Sequence, residues 1–372
     1  MKTLSKSRFV SGVQCEKKLW YSYYRKDLQL PTDEQTQAIF DLGHQIGNLA
    51  QNRFPNGKDA TPEDFSDFSP SIEKTKLWIA EEVETIYEAT FTAKNALCML
   101  DILHRMNDEI WAIEVKNSTS VKDYHLTDAS LQYFVMKEAG YAPDKFFLMH
   151  INNQYIKNGE LTDEFFHLED ITDKVLSKQT WVEENLERLL VMLENKQEPN
   201  VSIGAHCSSP FACDFVHHCW KHIPENSVFE LYRGGNKAWE LYEQGILKIE
   251  DIEDDFPLTH FQHLQRKGLR NQEQYINKEA IKNMISSWQF PLYFFDFETV
   301  FPAIPVLDGT RPYQQVPFQY SLNISRNLKP PSYRKKSSAF AGPRKPNRNC
   351  ERRIKKNDFF NEKYIYIFVT IV

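Results

Sequence analysis

The chain has 372 residues, of which 41% are hydrophobic, and a formal net charge of −6. A chain of this length and composition can bury a sizeable core, which excludes a largely disordered protein and favours two or more domains. It has no long apolar run, and its polar first residues do not resemble a signal peptide, so we expect a cytoplasmic protein with no membrane association.

The cysteines and the distribution of charge indicate which bonds and which partners to expect. In a reducing compartment, the six cysteines favour free thiols or metal ligands over disulfides. Most of the chain is acidic, whereas residues 325–372 are rich in Lys and Arg. Overall charge therefore gives no support for nucleic-acid binding, although a local basic groove would be sufficient for it.

The amino-terminal stretch, residues 5–26, mixes basic and aromatic side chains around Cys15. Such a mixture can follow a nucleic-acid backbone and stack bases, and it also fits a partly buried amphipathic helix. The next segment predicts a helix over about residues 33–53, with Thr32 as its N-cap. The apolar stripe of this helix leaves His44 nearly opposite, on the solvent side.

The central feature of the sequence is a β-hairpin over residues 96–117 with a polar two-residue turn. Because successive side chains of a strand alternate in direction, Glu114 and Lys116 share a face, and the paired strand brings Asp101 to the same side. Two carboxylates and an ammonium on a mostly apolar hairpin are costly unless they bind something. A divalent metal and a phosphate would account for all three groups, and a salt-bridged strand pair at the surface is the alternative.

The elements around the hairpin define the fold class. Alternation over residues 86–93 predicts a strand that carries Glu88. A helix with Asp128 as its N-cap follows the hairpin, and a strand is predicted over residues 145–151. The order of helix, three strands, helix and strand predicts an α/β fold whose small mixed sheet is flanked by helices.

These residues carry a resemblance to a known family. Asp101, Glu114-Val115-Lys116 and Gln132 on the next helix resemble the PD-(D/E)XK nuclease core, in particular its RecB-like branch, which includes CRISPR-associated and AddB-type exonucleases. The resemblance implies a restriction-endonuclease-like core in which Asp101, Glu114 and the Val115 carbonyl bind Mg²⁺ or Mn²⁺. It also implies that Lys116 orients the attacking water or stabilises the phosphate, and that Gln132 holds the substrate or the lysine. Oxygen ligands suit a hard cation, which lowers the pKa of its bound water.

Two further metal ligands are candidates by the same resemblance. Glu88 would be an additional acid at the site. The branch commonly has a metal-binding histidine four residues after a glycine on its first helix, but here Gly43 is followed at that place by Gly47. His44 is the histidine available on that helix, so this ligand is either His44 or missing.

A second signature follows a predicted amphipathic helix over residues 174–196. Cys207, Cys213 and Cys219 lie there, and Cys15 lies far upstream. One cysteine before the core and three after it resembles the four-thiolate site of the same RecB-like branch, which implies a structural four-iron four-sulfur cluster. Zinc is the competing metal, although its paired ligands usually lie two to four residues apart, and unligated thiols are a third alternative.

The last part of the chain resembles a second nuclease family. Residues 231–252 are similar to a helix-hairpin-helix segment, and a plain helical linker is the alternative. Asp296 and Glu298 project from one face of an apolar strand, as in the first motif of the RNase H-like DEDD exonucleases. Because few residues follow and the basic tail lacks periodicity, we hypothesise a frameshifted or truncated carboxy terminus. The alternative is a basic arm that binds nucleic acid.

The sequence thus predicts four regions: a RecB-like nuclease domain over residues 1–225 with the four-cysteine cluster, a helical linker over 226–289, a truncated DEDD-like start over 290–324 and a basic tail over 325–372. We expect a metal-dependent DNA nuclease, most readily an exonuclease, that acts on single-stranded DNA or duplex ends. The alternatives are a non-catalytic nucleic-acid-binding module with a cysteine-bound metal, and a zinc-stabilised interaction protein. The oligomeric state cannot be predicted from the sequence.

Overall fold

The computed structural model describes residues 2–326, together with the backbone of residues 336–339 and 366–368. The basic tail predicted from residue 325 onward lies almost entirely outside these described residues. Two compact units are present, the first formed by Met1–Ile151 with Phe166–Glu273 and the second by Asn152–Phe165 with Gln274–Val372. The compact units divide the chain between residues 273 and 274 and around the segment 152–165. The functional domain boundaries at residues 225 and 289 stay predictions.

The first unit contains seven strands and ten α-helices among its described residues. In chain order these are β1 (Leu4–Ser5), α1 (Lys6–Gln14), α2 (Glu16–Tyr24), α3 (Glu34–Gln51), β2 (Lys58–Asp59), α4 (Ser69–Ala80), β3 (Thr85–Ala93), β4 (Ala96–Met106), β5 (Glu109–Lys116), α5 (Asp123–Glu138), β6 (Lys145–Ile151), β7 (Phe166–Asp170), α6 (Thr172–Leu176), α7 (Gln179–Glu194), α8 (Val216–Cys219), α9 (Asn236–Glu243) and α10 (His260–Asn271). The predicted fold class is confirmed, because this unit is a mixed α/β structure whose sheet is flanked by helices.

The sheet of the first unit has the strand order β2-β3-β4-β5-β6-β7, and β1 also pairs with β4. The pairs β2 with β3, β5 with β6 and β1 with β4 are parallel, and the others are antiparallel. Helix α5 packs on β3 and β4 and also contacts α1 and α7. Apolar side chains from the sheet and these helices form one core, which buries Leu100, Phe146, Val135 and Leu189 completely.

The predicted hairpin is present, and its two strands separate before its base. Residue pairing between β4 and β5 runs from Met106 with Glu109 to Ile102 with Ile113 and then stops. Strand β1 pairs with the same strand β4 further back, at Ala96. Strand β3 pairs along the other edge of β4 from Ala96 to His104, except at Asp101, so β1 lies on the edge that β5 has left. The separation of the strands opens a gap at the level of the predicted acids.

Three helix predictions need correction. The helix predicted to start at Asp128 begins at Asp123, because Lys122 and not Asp128 is its N-cap, and Asp128 lies inside the helix. The N-cap of α3 is Asp33 instead of Thr32, and its side chain accepts a hydrogen bond from the backbone N–H of Thr36. The single helix predicted over residues 174–196 consists of two helices, α6 and α7, with a break at residues 177–178.

The second unit contains α11 (Lys278–Ser286) and the strands β8 (Leu292–Val300), β9 (Val316–Ser325), β10 (Lys336–Ala339) and β11 (Tyr366–Phe368). Its sheet has the order β10-β9-β8-β11. Strand β8 pairs antiparallel with β9 along its whole length, with one irregularity at Glu298 and Thr299, and parallel with β11. No helix among the described residues of either unit is long and apolar enough to span a membrane.

Candidate functional site

Glu114 is the centre of the site that the hairpin builds. Its side chain is only 1% exposed, and both of its carboxylate oxygens accept hydrogen bonds. The Oε1 atom accepts from Lys116 Nζ at 2.6 Å and from Lys6 Nζ at 2.8 Å, and the Oε2 atom accepts from Gln132 Nε2 at 2.8 Å. The structure therefore brings together three of the predicted residues, and it adds Lys6.

Asp101 lies where the strands of the hairpin separate. Its Oδ2 atom accepts a hydrogen bond of 2.6 Å from the backbone N–H of Val115, beyond the last residue pair of the two strands. The carboxylate thus replaces the strand partner that this N–H has lost. Val115 contributes its N–H to this contact, and the metal-binding role of its carbonyl stays a prediction.

Lys6 and Asp128 were missed by the sequence interpretation. Asp128 is 8% exposed, and its Oδ2 atom lies 2.7 Å from Lys116 Nζ. Asp128 and Gln132 are four residues apart on α5 and so lie on one helix face, a spacing that could have identified Asp128 as a site residue. Lys6 is the first residue of α1, and no sequence pattern connects it with Glu114, 108 residues away.

The two ammonium groups hold Glu114 in its charged form. Burial opposes its charge, but the nearby Lys116 and Lys6 outweigh burial and lower the pKa of Glu114. Burial likewise opposes the charge of Lys116, yet Asp128 and Glu114 raise the pKa of this lysine. At neutral pH the centre of the site therefore holds ionised partners in direct contact.

The other two carboxyl groups behave in the opposite way. Burial and the neighbouring Glu114 raise the pKa of Asp101 to about 7, and burial and Asp101 raise the pKa of Glu88 to about 8. The site thus contains four carboxyl groups and two ammonium groups, those of Glu88, Asp101, Glu114, Asp128, Lys6 and Lys116. When all four carboxyl groups are ionised, the site has an excess of two negative charges. Protons relieve this excess in the absence of a cation, and a divalent cation has the matching charge.

Glu88 also has an unusual backbone conformation. Its φ is +53°, in the left-handed region that side chains other than glycine rarely adopt. Pairing between β3 and β4 passes from Tyr87 with Ile102 to Ala89 with Leu100, so Glu88 lies opposite Asp101 without forming a regular pair. Such a conformation costs about 1–3 kcal/mol, and residues of this kind cluster at functional sites.

Two buried oxygen atoms beside the ion pairs have no partner among the described residues. They are Asp128 Oδ1 and Gln132 Oε1. The other oxygen of Asp128 accepts a hydrogen bond from Lys116, and the amide nitrogen of Gln132 donates one to Glu114. An unsatisfied buried acceptor costs about 1–3 kcal/mol, so these atoms indicate a donor or cation still to be supplied. The oxygen donors of the site fit a hard divalent cation such as Mg²⁺ or Mn²⁺ in their chemistry. As the described side chains stand, no three His, Cys, Asp or Glu residues are close enough together to hold a metal ion.

His44 is not brought to this site. It lies on the exposed face of α3, whereas Ile46 and Ala50 of the same helix are buried. No hydrogen bond or ion pair joins His44 to a carboxylate within residues 2–326, so its placement gives the predicted metal-binding role no support.

His125 is a buried neighbour of the site that the sequence did not indicate. Its Nδ1 accepts a hydrogen bond of 3.1 Å from the backbone N–H of Lys122, which leaves Nε2 as the protonated nitrogen of the neutral ring. Burial and the positive charge of Lys116 lower the pKa of His125 to about 4. The ring is therefore neutral under ordinary conditions.

The four predicted cluster cysteines line one cavity in the first unit. Cys15 lies between α1 and α2, and Cys207, Cys213 and Cys219 lie on the segment that ends with α8. The backbone N–H of Cys213 donates to the carbonyl of Cys207 at 3.0 Å, and all four thiols are free. Burial raises the pKa of the Cys15 thiol, and the neighbouring Cys207 raises it further.

Nearby backbone N–H groups and lysines oppose this rise without reversing it. Backbone N–H groups of Lys18 and Lys17, at the start of α2, hydrogen-bond to Cys15 and lower its pKa. Burial raises the pKa of Cys213 to about 11, but the N–H of Phe215 and the charge of Lys18 act against this rise. Backbone donors and nearby lysines stabilise thiolates, which are the ligands of iron–sulfur clusters and of zinc. The four thiols suit a thiolate-bound metal group by their chemistry, but as the described side chains stand no three of them are close enough together to hold a metal ion.

Direct contacts fasten the amino-terminal helices to the cysteine segment. Gln14 Nε2 donates to the carbonyls of His206 and Phe211, both at 2.7 Å. The Tyr21 hydroxyl donates to Glu198 at 2.8 Å. The cysteine cavity is thus formed by two distant parts of the chain that are also held together by other contacts.

Asp296 and Glu298, the predicted second site, lie on β8 in the second unit, and both are exposed. Neither forms a hydrogen bond or an ion pair within the part of the chain that the structure describes. The structure brings no further acid to them there.

Comparison with known proteins gives two similarities. Residues 293–365, less than half of the chain, match a family described as a domain of unknown function, DUF2779. No curated protein matches the chain. A crystal structure of SSO0001 is similar over 59% of this chain and 86% of its own, with 14% sequence identity and a TM-score of 0.29. A likeness at this level carries no argument about fold or activity.

Proposed function

We propose that this protein is a Mg²⁺- or Mn²⁺-dependent DNA nuclease of the PD-(D/E)XK type, with a structural four-iron four-sulfur cluster bound by the four cysteines. The observation that carries the proposal is the convergence of Asp101, Glu114, Lys116 and Gln132 at the point where two strands separate. These are the residues expected for that chemistry, and the site around them has an excess of two negative charges when its carboxyl groups are ionised.

Each residue of the site would have its own role in phosphodiester hydrolysis. Asp101 and Glu114 would hold the cation, with Glu88 as an additional acid. A bound divalent cation lowers the pKa of its water and neutralises charge on the phosphate. Lys116 is held by Glu114 and Asp128, and its raised pKa keeps it protonated. It therefore acts by stabilising negative charge on the phosphate, and it is unsuited to be the base that activates water.

The proposed substrate is DNA, either single-stranded or at duplex ends, and the proposed location is the cytoplasm. Support for DNA comes from the resemblance of the motif residues to RecB-like exonucleases. The cysteine cluster would hold the amino-terminal helices against the end of the nuclease domain, where Gln14 already binds the segment beyond His206. The cluster has no part in the hydrolysis itself in this proposal.

The test is a cleavage assay with purified protein, Mg²⁺ or Mn²⁺, and end-labelled single- and double-stranded DNA. We expect cleavage that EDTA abolishes and that falls about 100-fold or more in Lys116→Met. Lys145→Met is the matched control, because Lys145 lies at the start of the neighbouring strand and forms its ion pair with Asp170 at the surface. Absence of cleavage by the wild type, or equal cleavage by Lys116→Met, would contradict the proposal. Metal-independent DNA binding that survives Glu114→Gln would instead favour a non-catalytic binding module.

A further inference from the structure

We infer that Lys6 supplies a second functional ammonium group, beside that of Lys116, to the candidate active site. Helix α1 connects the position of Lys6 to the cysteine site at the other end of the helix. The inference rests on the proposed function, because it concerns the cation site of the proposed nuclease. Lys6 would set the negative charge available to the cation, and the cysteine site would keep Lys6 in place.

The contact of Lys6 with the site is direct. Its Nζ lies 2.8 Å from Glu114 Oε1, the oxygen that Lys116 also binds at 2.6 Å. The Lys6 side chain is 26% exposed, so it reaches a buried carboxylate from the edge of the site. Two ammonium groups beside one buried oxygen make the electrostatic potential at that oxygen less negative than one ammonium group alone would.

Helix α1 packs tightly along its length. Leu4 pairs with Ala96 of β4 and is completely buried, two residues before Lys6. Phe9 is buried as well, and Gly12 lies so close to Leu189 that an added Cβ would be 2.7 Å from that side chain. Because this packing leaves no room for one end to adjust alone, a displacement at the carboxy-terminal end of the helix also disturbs the packing around Lys6.

The other end of α1 belongs to the cysteine site. Cys15 is both the C-cap of α1 and the N-cap of α2, and its thiol faces the cavity of the cluster cysteines. Gln14, the last residue of α1, binds the carbonyls of His206 and Phe211. A nine-residue helix is about 14 Å long, so one rigid element extends from the carboxylates to the thiols.

Loss of the Lys6 ammonium should change the affinity for a divalent cation and the affinity for DNA in opposite directions, whereas general damage to the site would lower both. Without this ammonium the ionised carboxyl groups exceed the remaining cation by three charges instead of two. A divalent cation should then bind more tightly, whereas a DNA phosphate should be repelled more strongly. A damaged site would bind both less well.

The experiment measures Mn²⁺ binding by calorimetry at one fixed pH, together with DNA cleavage, in full-length proteins. We expect Lys6→Met to bind Mn²⁺ about tenfold more tightly and to cleave DNA about tenfold more slowly, whereas Lys6→Arg keeps wild-type values. Arg8→Met is the matched control on the same helix, since Arg8 binds the hydroxyl of Tyr23 outside the site, and it should change neither quantity.

A double-mutant cycle tests the connection through α1. Cys15→Ser should tighten Mn²⁺ binding in the wild-type background and have no further effect in Lys6→Met. Gln14→Leu repeats this test without touching a thiol, in case Cys15→Ser does not fold, and circular dichroism checks the fold of every variant.

Each result decides one of the two proposals. Wild-type Mn²⁺ affinity in Lys6→Met would contradict the role of Lys6 and leave the nuclease proposal intact. An equal effect of Cys15→Ser and Gln14→Leu in both backgrounds would contradict the connection through α1. A wild-type protein that binds Mn²⁺ but cleaves no DNA would contradict the proposed function alone, and a wild-type protein that binds no Mn²⁺ would contradict both.

Discussion

Two pairs of acids in this protein look alike in sequence and differ in structure. Asp101 and Glu114 lie on apolar strands of the first unit, and Asp296 and Glu298 lie on an apolar strand of the second. Glu114 is 1% exposed and receives three hydrogen bonds, whereas Asp296 and Glu298 are exposed and have no partner within the described residues.

The difference lies in what surrounds each strand. Strand β5 leaves β4 beyond Ile113, and helices α1 and α5 supply Lys6, Asp128 and Gln132 to the resulting gap. Strand β9 instead pairs with β8 on both sides of Asp296, so no gap opens between these two strands. Acids on an apolar strand therefore indicate a site only where other elements can bring them counter-charges.

The largest expected effect is on catalysis. Glu114→Gln removes the charge that holds both lysines and, in our proposal, a ligand of the cation, so DNA cleavage should fall about 1000-fold. The double variant Asp296→Asn/Glu298→Gln should cleave at the wild-type rate, since these acids have no counter-charge among the described residues. Equal losses in the two proteins, measured with the same end-labelled DNA, would remove the distinction between the pairs.

The next effect is on stability. Glu114→Ala leaves Lys6 and Lys116 without their shared partner inside the protein, which should lower the free energy of unfolding by about 3 kcal/mol. Urea unfolding followed by circular dichroism measures this change. A loss below about 1 kcal/mol would mean that solvent reaches the pair more readily than its burial indicates.

The pH dependence of cation binding should be smaller. Because the pKa of Asp101 is about 7 and that of Glu88 about 8, both must release a proton before they can bind a cation. Mn²⁺ affinity should therefore rise at least about tenfold between pH 6 and pH 8 and level off only above about pH 9, where Glu88 is ionised as well. Calorimetry in buffers of different ionisation enthalpy would detect the released protons, and Asp101→Asn should flatten the rise. An affinity independent of pH would contradict the raised pKa values.

The smallest effect should be the stability change at the second pair. Asp296→Asn and Glu298→Gln alter exposed groups, so each should change the free energy of unfolding by less than about 0.5 kcal/mol. A larger destabilisation in the same urea experiment would show that these acids have partners after all.

Much of the fold could be predicted because local patterns determine it. The apolar segment over residues 145–151 located β6, and the polar turn placed the two strands of the hairpin. The start of α5 was predicted wrongly because aspartate favours N-caps in general, whereas Asp128 is held inside the helix by Lys116. Strand β1 has two residues and pairs with a distant part of the chain, so no local pattern reveals it.

The site was predictable to the extent that it lies on the hairpin. Alternation placed Glu114 and Lys116 on one face, and hairpin pairing added Asp101, but Gln132 came only from the family resemblance. Lys6 could not be predicted, because its contact with Glu114 depends on tertiary packing across 108 residues. The gap between the strands also has no sequence signal, since both strands continue their apolar alternation through it.

The most direct test of the account is a calorimetric titration of the purified protein with Mn²⁺, repeated for Glu114→Gln and for Asp296→Asn/Glu298→Gln. We expect a single site in the wild type that is lost in Glu114→Gln and unchanged in the double variant. A wild type that binds no Mn²⁺, or binding that Glu114→Gln leaves intact, would contradict the proposed cation site.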